Sequence, residues 1–171
     1  MPAKPNVPVA LLKLAVFTFF LPGTVTWWAP RYFFRSAYAA NPLENAATLA
    51  GGILLLALGV AGFLWTALDF AFAGRGTPAP IDPPKVLVVR GLYRYSRNAM
   101  YISVLLVLAG EGVLFLSWTL CRYALAMWGG FHLFVLLYEE PTLRDKFGDS
   151  YVEYCKRVNR WLPRPPRSSA P

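Results

Sequence analysis

The chain of 171 residues is 56% hydrophobic and 15% charged, with a mean hydropathy of +0.41, which excludes an ordinary soluble domain. Its net charge is +8, and because long apolar runs separate the basic residues, we expect a membrane surface and no nucleic acid as the anionic partner. Cys121 and Cys155 lack metal-type spacing, so we expect free thiols and no metal site.

Four apolar segments predict membrane-spanning helices in one all-α domain, because crossing a bilayer takes about 20 apolar residues. They cover about residues 7–28, 46–73, 99–118 and 119–138. The first contains an interruption at Pro22-Gly23, and the bulky Trp27-Trp28 that follows predicts an interfacial belt rather than a cleavable signal. The second carries glycines that let another helix approach closely, namely Gly51, Gly52, Gly59 and Gly62.

The third and fourth spans form a tight hairpin, since almost nothing separates them, with its turn near Ser117. We expect Gly110-Glu111-Gly112 to interrupt the third span near its middle. Glu111 would then pair within the bundle, meet a polar head of a lipid substrate or face a wet cavity. Asp69, near the end of the second span, is predicted to be a structural partner of Arg75 or Arg94.

Before the hairpin, the proline-rich residues 74–84 cannot continue a helix, and the KVLVVR run at 85–90 predicts an extended or strand-like segment. After it, helical spacing of apolar residues predicts an amphipathic helix lying on the membrane, with Ser150 and Glu153 as a capping box and Trp161-Leu162 as an anchor. The apolar residues of this helix are Phe147, Tyr151, Tyr154 and Val158.

Most lysines and arginines lie in residues 74–98 and in the tail after the fourth span. The hairpin places both segments on one side of the membrane, which the positive-inside rule makes cytoplasmic. With four spans, both termini are then cytoplasmic. We expect an integral protein of a bacterial inner membrane.

The polar residues at this side suggest a site, because ionisable groups within a membrane are functional candidates. Seven α-helical residues advance by about 700°, so His132 and Glu139 share a face, with Glu140 about 80° round from His132. Arg94 and Arg97 are the expected partners of the glutamates. The other interpretation is an interhelical His132, ordinary interface glutamates and arginines that bind lipid phosphate.

A pocket with both signs of charge can hold a zwitterion. Forked arginine hydrogen bonds bind its carboxylate, while glutamates bind an ammonium or sulfonium group. Tyr93, Tyr95 and Tyr101 offer faces to a purine or a cation, unless they belong to the interfacial belt.

The order GTPAP, LVVRGLYRYSRNAMY, a helical hairpin, FHLFVLLYEEPTL and FGDSYVEYCKRVNRWLPR resembles the isoprenylcysteine carboxyl methyltransferase-like and phospholipid methyltransferase-like integral membrane enzymes. The similarity covers roughly residues 68–164. It implies S-adenosylmethionine held by residues 85–101 and 132–158. The implied cofactor contacts are Val88, Gly91, Tyr93, Arg97, Asn98, Tyr101, His132, Glu139 and Glu140.

The resemblance also implies that Glu139, Glu140 and Arg144 lie near the reacting end of the cofactor. Two residues depart from the family pattern, since Leu92 and Ala99 stand where members often have proline. We expect that this changes the local backbone more than the cofactor.

The expected reaction is methyl transfer to a membrane-embedded lipid or isoprenoid-type acceptor, or to a lipid-modified one. A carboxylate acceptor needs no base, whereas an amine or hydroxyl would use Glu139 or Glu140. Two other functions stay open: an NADPH-dependent reductase of an isoprenoid or sterol-like lipid, and a non-catalytic membrane scaffold. Binding of the two cofactors separates these functions.

Overall fold

A computed structural model describes residues 7–39, 45–74 and 86–163. These residues form helices and turns without a named strand, which confirms the all-α prediction. The helices are α1 (Val7–Phe20), α2 (Ala29–Phe33), α3 (Ala46–Asp69), α4 (Ala99–Leu114), α5 (Trp118–Phe134), α6 (Glu140–Phe147) and α7 (Asp149–Arg157). Most of the proline-rich loop, including Arg75, lies outside the described residues.

Three helical stretches in the described part of the chain are long and apolar enough to cross a membrane: Leu12–Phe33, Ala46–Phe72 and Trp118–Phe147. The predicted interruption in the first stretch is a π-helical turn, Thr24–Trp28, and the backbone stays helical past Pro22-Gly23. The predicted third span is shorter than expected. It ends at Leu114, and its 16 residues rise about 24 Å.

Close packing of α3 against α4 forms the centre of the bundle. A Cβ at Gly59 would lie 2.7 Å from the Ser103 carbonyl oxygen, and one at Gly52 would lie 2.8 Å from Leu114 Cβ. The predicted close helix approach is therefore confirmed, because neither position has room for a methyl group. Gly110 packs against α3 in the same way. Because α4 runs to Leu114, it continues through Gly110-Glu111-Gly112, and the predicted interruption is wrong.

The hairpin turn lies at residues 115–117, as predicted, and the Ser117 hydroxyl accepts a hydrogen bond from Leu120 N (3.4 Å). The helix does not end with the predicted fourth span, however. The helical stretch continues through a π-helical turn, Val135–Glu139, into α6, where Pro141 lies in the first turn. Proline lacks the N–H that would continue the i→i−4 hydrogen bonds, and the π-helical turn directly before it already interrupts that pattern.

Helix α7 is amphipathic, but its apolar face packs on the protein and not on the membrane. Tyr151, Tyr154 and Val158 are buried in one cluster with Leu87 and Leu143. Residues 86–90 are extended without forming a strand.

The predicted capping box of this helix does not form. Ser150 Oγ donates to Phe147 O (2.8 Å), and Glu153 pairs with Lys156 and Arg157. Gly148, with a φ of +52°, precedes the helix instead.

Two buried carboxylates join distant parts of the chain. Glu111 accepts hydrogen bonds from Arg31 Nη1 (3.0 Å) and Tyr38 Oη (2.8 Å), so it pairs within the bundle, three residues before the end of α4. Asp69 Oδ1 lies 2.8 Å from Arg90 Nε, which corrects the expected pairing with Arg94. The loop folds back onto the end of α3, and this course of the backbone places Arg90 beside Asp69.

Candidate active site

Two arginines meet one glutamate where the N-terminal end of α4 lies beside α6. Arg97 Nη1 lies 3.0 Å from Glu140 Oε1, while Arg160 donates from Nε to Oε1 (2.7 Å) and from Nη2 to Oε2 (2.9 Å). The side chains of Arg97 and Glu140 are only 12% and 13% exposed. The predicted pairing of Arg97 with a glutamate is confirmed, whereas Arg94 is exposed and does not share it.

The second arginine was not predicted as a site residue. Its bidentate bond to Glu140 raises the pKa of Arg160, so the guanidinium stays charged. The sequence pattern indicates only a basic membrane surface there, because no periodicity connects Arg160 to Glu140. The signal was its place in NRWLPR, the end of the segment that carries the family resemblance.

The tail segment that carries Arg160 runs alongside the loop before α4. Asn159 O accepts a hydrogen bond from Arg97 N (2.9 Å), and Ser96 and Asn159 form a parallel bridge. Arg160 O accepts from Ser96 Oγ (3.1 Å) and from Asn98 Nδ2 (3.0 Å). The Asn98 side chain therefore binds the tail. Helix α4 begins at Ala99, so the helix starts here without the proline that the family often has.

Glu139 lies beside the charged cluster with a different partner. Its Oε2 accepts a hydrogen bond from Tyr101 Oη (2.8 Å), and the Tyr101 ring packs on Phe131 with centroids 4.8 Å apart. The structure thus brings Tyr101, at the start of α4, and Glu139, at the end of the fourth predicted span, into contact. Arg144 is exposed one turn beyond Glu140 and adds positive charge near it.

The loop residues Val88, Gly91 and Tyr93 also contact the helical bundle. Gly91 has a φ of +55°, and a Cβ there would overlap Asp69 Oδ2, so only glycine allows this approach. Val88 and Tyr93 are buried, and the Tyr93 ring packs edge-on against Phe70. Leu92, the other departure from proline, packs against the same core.

Tyr154 connects the last helix to this loop. Its hydroxyl donates to the Tyr93 carbonyl oxygen (2.7 Å). Burial raises the pKa of both tyrosines, so both hydroxyls remain neutral donors. Tyr95, by contrast, is exposed.

Among the described residues, the contacts of His132 are with two tryptophans and not with the glutamates. Its Nδ1 accepts a hydrogen bond from Trp161 Nε1 (3.0 Å), and its ring stacks on Trp128. The predicted shared face with Glu139 assumed a regular α-helix, but the π-helical turn between them uses wider i→i+5 spacing. Trp161 therefore packs on α5, and its role as a membrane anchor stays a prediction.

Comparisons with known proteins show which family and fold this chain resembles. The sequence model of the phospholipid methyltransferase family matches residues 47–150. An uncharacterized protein from Haemophilus influenzae is 39% identical over 70 residues, which cover all of that protein and 37% of this chain.

Among solved structures, the eukaryotic intramembrane Ras methyltransferase named isoprenylcysteine carboxyl methyltransferase has the same fold, with a TM-score of 0.57 and 19% identity. The match covers 95% of this chain but only 53% of that enzyme, so this chain spans about half its length. Since the family model matches more than half of the sequence, the chain belongs to the phospholipid methyltransferase family of integral membrane proteins.

Proposed function

We propose that this chain transfers a methyl group from S-adenosylmethionine to a lipid or isoprenoid-type acceptor in the membrane. The observation that carries the proposal is the Arg97–Glu140–Arg160 cluster next to the Tyr101–Glu139 pair. Together they concentrate both signs of charge where the loop before α4, the end of the long helical stretch and the tail meet.

The side chains there fit the cofactor, which carries a carboxylate, an ammonium group and a purine. Arg97 Nε is a buried donor that has no hydrogen-bond partner among the described residues, and a carboxylate would satisfy it. Glu139 uses Oε2 for Tyr101, and within the described chain Oε1 accepts no hydrogen bond. It is the natural acceptor for an ammonium group.

When bound, S-adenosylmethionine supplies an electrophilic methyl group on sulfonium. Arg97 and Arg160 fix Glu140 from two sides, and Tyr101 holds Glu139, so both carboxylates are oriented before a ligand arrives. The contribution of these residues is mainly positioning. For an amine or hydroxyl acceptor Glu139 is the proposed base, since Glu140 is already bound by two arginines.

We also propose the orientation of this site. The basic residues of the loop and the tail would lie on the cytoplasmic side of a bacterial inner membrane, where a soluble cofactor is available. The acceptor would reach the same site laterally from the bilayer.

The decisive experiment incubates purified protein with S-adenosylmethionine labelled in its methyl group and a bacterial lipid extract, and identifies the labelled product. Calorimetric titrations with S-adenosylmethionine and NADPH accompany it. We expect a labelled lipid and binding of S-adenosylmethionine alone. NADPH binding without S-adenosylmethionine binding would replace the proposal with a reductase.

A further inference from the structure

The only histidine of the sequence lies on an outward-facing stripe of the fourth predicted span. Leu125, Trp128, His132 and Leu136 follow one another at steps of 3, 4 and 4 residues. Leu125 is 65% exposed, Trp128 is 42% exposed and Leu136 is 36% exposed. In a bilayer this stripe faces lipid, where a polar ring is costly unless it has a partner.

The contact with Trp161 determines which nitrogen of His132 carries the proton. The indole N–H of Trp161 is a donor only, so Nδ1 must be the unprotonated acceptor, and the neutral ring then carries its proton on Nε2. Nε2 makes no hydrogen bond within the described residues, and it is not among their buried unsatisfied atoms. An N–H donor is therefore left open on a lipid-facing surface.

This donor is connected to the candidate active site through two consecutive residues of the tail. Arg160 binds Glu140 through its guanidinium, and the following residue, Trp161, binds His132. Trp128 and Trp161 flank the imidazole, with ring centroids 5.6 and 6.1 Å from it. Tryptophan combines an apolar body with a polar edge, which suits the boundary between a lipid chain and its head group.

We propose that Trp128, His132 and Trp161 form the acceptor-binding part of the site, with the His132 Nε2–H group donating to a lipid head-group oxygen. This inference rests on the proposed function and narrows the acceptor to a lipid whose head group carries an oxygen that can accept this hydrogen bond. It also moves His132 from the cofactor to the acceptor. A simple alkylammonium group, which has neither a lone pair nor an oxygen, is not recognised here.

The test uses a long-chain fatty acid with a photoreactive diazirine in its chain, together with the alkylamine of the same length. Wild-type protein in lipid nanodiscs is irradiated with each probe, and the labelled residues are found by mass spectrometry. We expect the fatty acid to label α5 and the tail around Trp161 at least about tenfold more than the amine, the factor for a hydrogen bond to a charged oxygen. Equal labelling by the two probes would overturn the proposal.

The variants separate this site from the cofactor site. His132→Ala and Trp128→Leu should reduce labelling by about tenfold and leave the Kd for S-adenosylmethionine within about twofold. Trp118→Leu is the matched control, because Trp118 is an exposed tryptophan at the other end of α5. His132→Gln keeps an amide donor and should retain part of the labelling.

Where His132→Ala does not fold, His132→Gln and Trp161→Phe replace it. Unchanged labelling in the variants, or a weaker cofactor Kd with normal labelling, refutes the acceptor site. Failure of the wild-type protein to bind S-adenosylmethionine refutes the proposed function instead, whatever the labelling shows.

Discussion

Arg160 holds Glu140 by two parallel hydrogen bonds, Nε to Oε1 at 2.7 Å and Nη2 to Oε2 at 2.9 Å. A residue beyond the last helix thereby contacts the start of α6, 20 residues earlier. The same tail segment bonds to the loop that precedes α4. The candidate site is thus closed by three segments that are separate in sequence.

The forked geometry of Arg160 predicts that lysine cannot replace it. Arg160→Lys keeps the charge but loses the bidentate bond, whereas Arg160→Ala removes both the bond and the charge. We expect S-adenosylmethionine binding to weaken by about 2–5 kcal/mol for alanine and by less for lysine. Calorimetric Kd values measure this, with the exposed Lys156→Ala as control. Equal affinity of wild type and Arg160→Ala would contradict a role in the site.

Gly91 and Gly148 form a matched pair for testing the loop. Both have positive φ angles, but a Cβ at Gly91 would overlap Asp69, whereas one at Gly148 meets no atom within 4 Å. Gly91→Ala should therefore add a steric clash to the backbone strain of about 1–3 kcal/mol that both substitutions share. We expect loss of cofactor affinity only for Gly91→Ala. Similar Kd values in the two variants would argue against loop positioning by this glycine.

The packing of α3 on α4 predicts a strong difference between two glycines. Gly59→Ala places a methyl group against Ser103 O and Val107, which should destabilise the protein by about 1–3 kcal/mol. Gly130→Ala on α5 meets no atom within 4 Å and should be neutral or slightly stabilising. Thermal unfolding in one detergent compares them. Equal midpoints would show that the helices are not in close contact at Gly59.

Breaking the Arg31–Glu111 pair should lower the stability of the protein without directly changing the cofactor site. Glu111→Leu removes the buried carboxylate that accepts hydrogen bonds from Arg31 and Tyr38, and it should cost about 1.5–3 kcal/mol. Replacing both residues by apolar ones should recover much of that loss. Unfolding and cofactor binding are measured side by side. Cofactor affinity that falls while the fold stays intact would place Glu111 in the catalytic machinery.

Several features could be predicted from the sequence because they depend on local patterns. Apolar runs predicted helices, and the absence of a linker at Ser117 predicted the hairpin. The pairing of Arg97 with a glutamate followed from two polar clusters at the same end of the spans. The partner of Asp69 could not be chosen in this way, because Arg90 and Arg94 lie on one loop and its backbone course decides between them.

Composition and periodicity by themselves determined an all-helical membrane protein with a charged site at one end, since hydrophobic burial and helical repeat act over short stretches of chain. Only the tertiary structure decided that Arg160 completes the Glu140 cluster and that Trp161 bonds to His132. It also decided where a π-helical turn interrupts the regular α-helix between His132 and Glu139. The first two features depend on contacts between residues far apart in sequence, and the third depends on one extra residue in a helical turn. None of them produces a periodic pattern in the sequence.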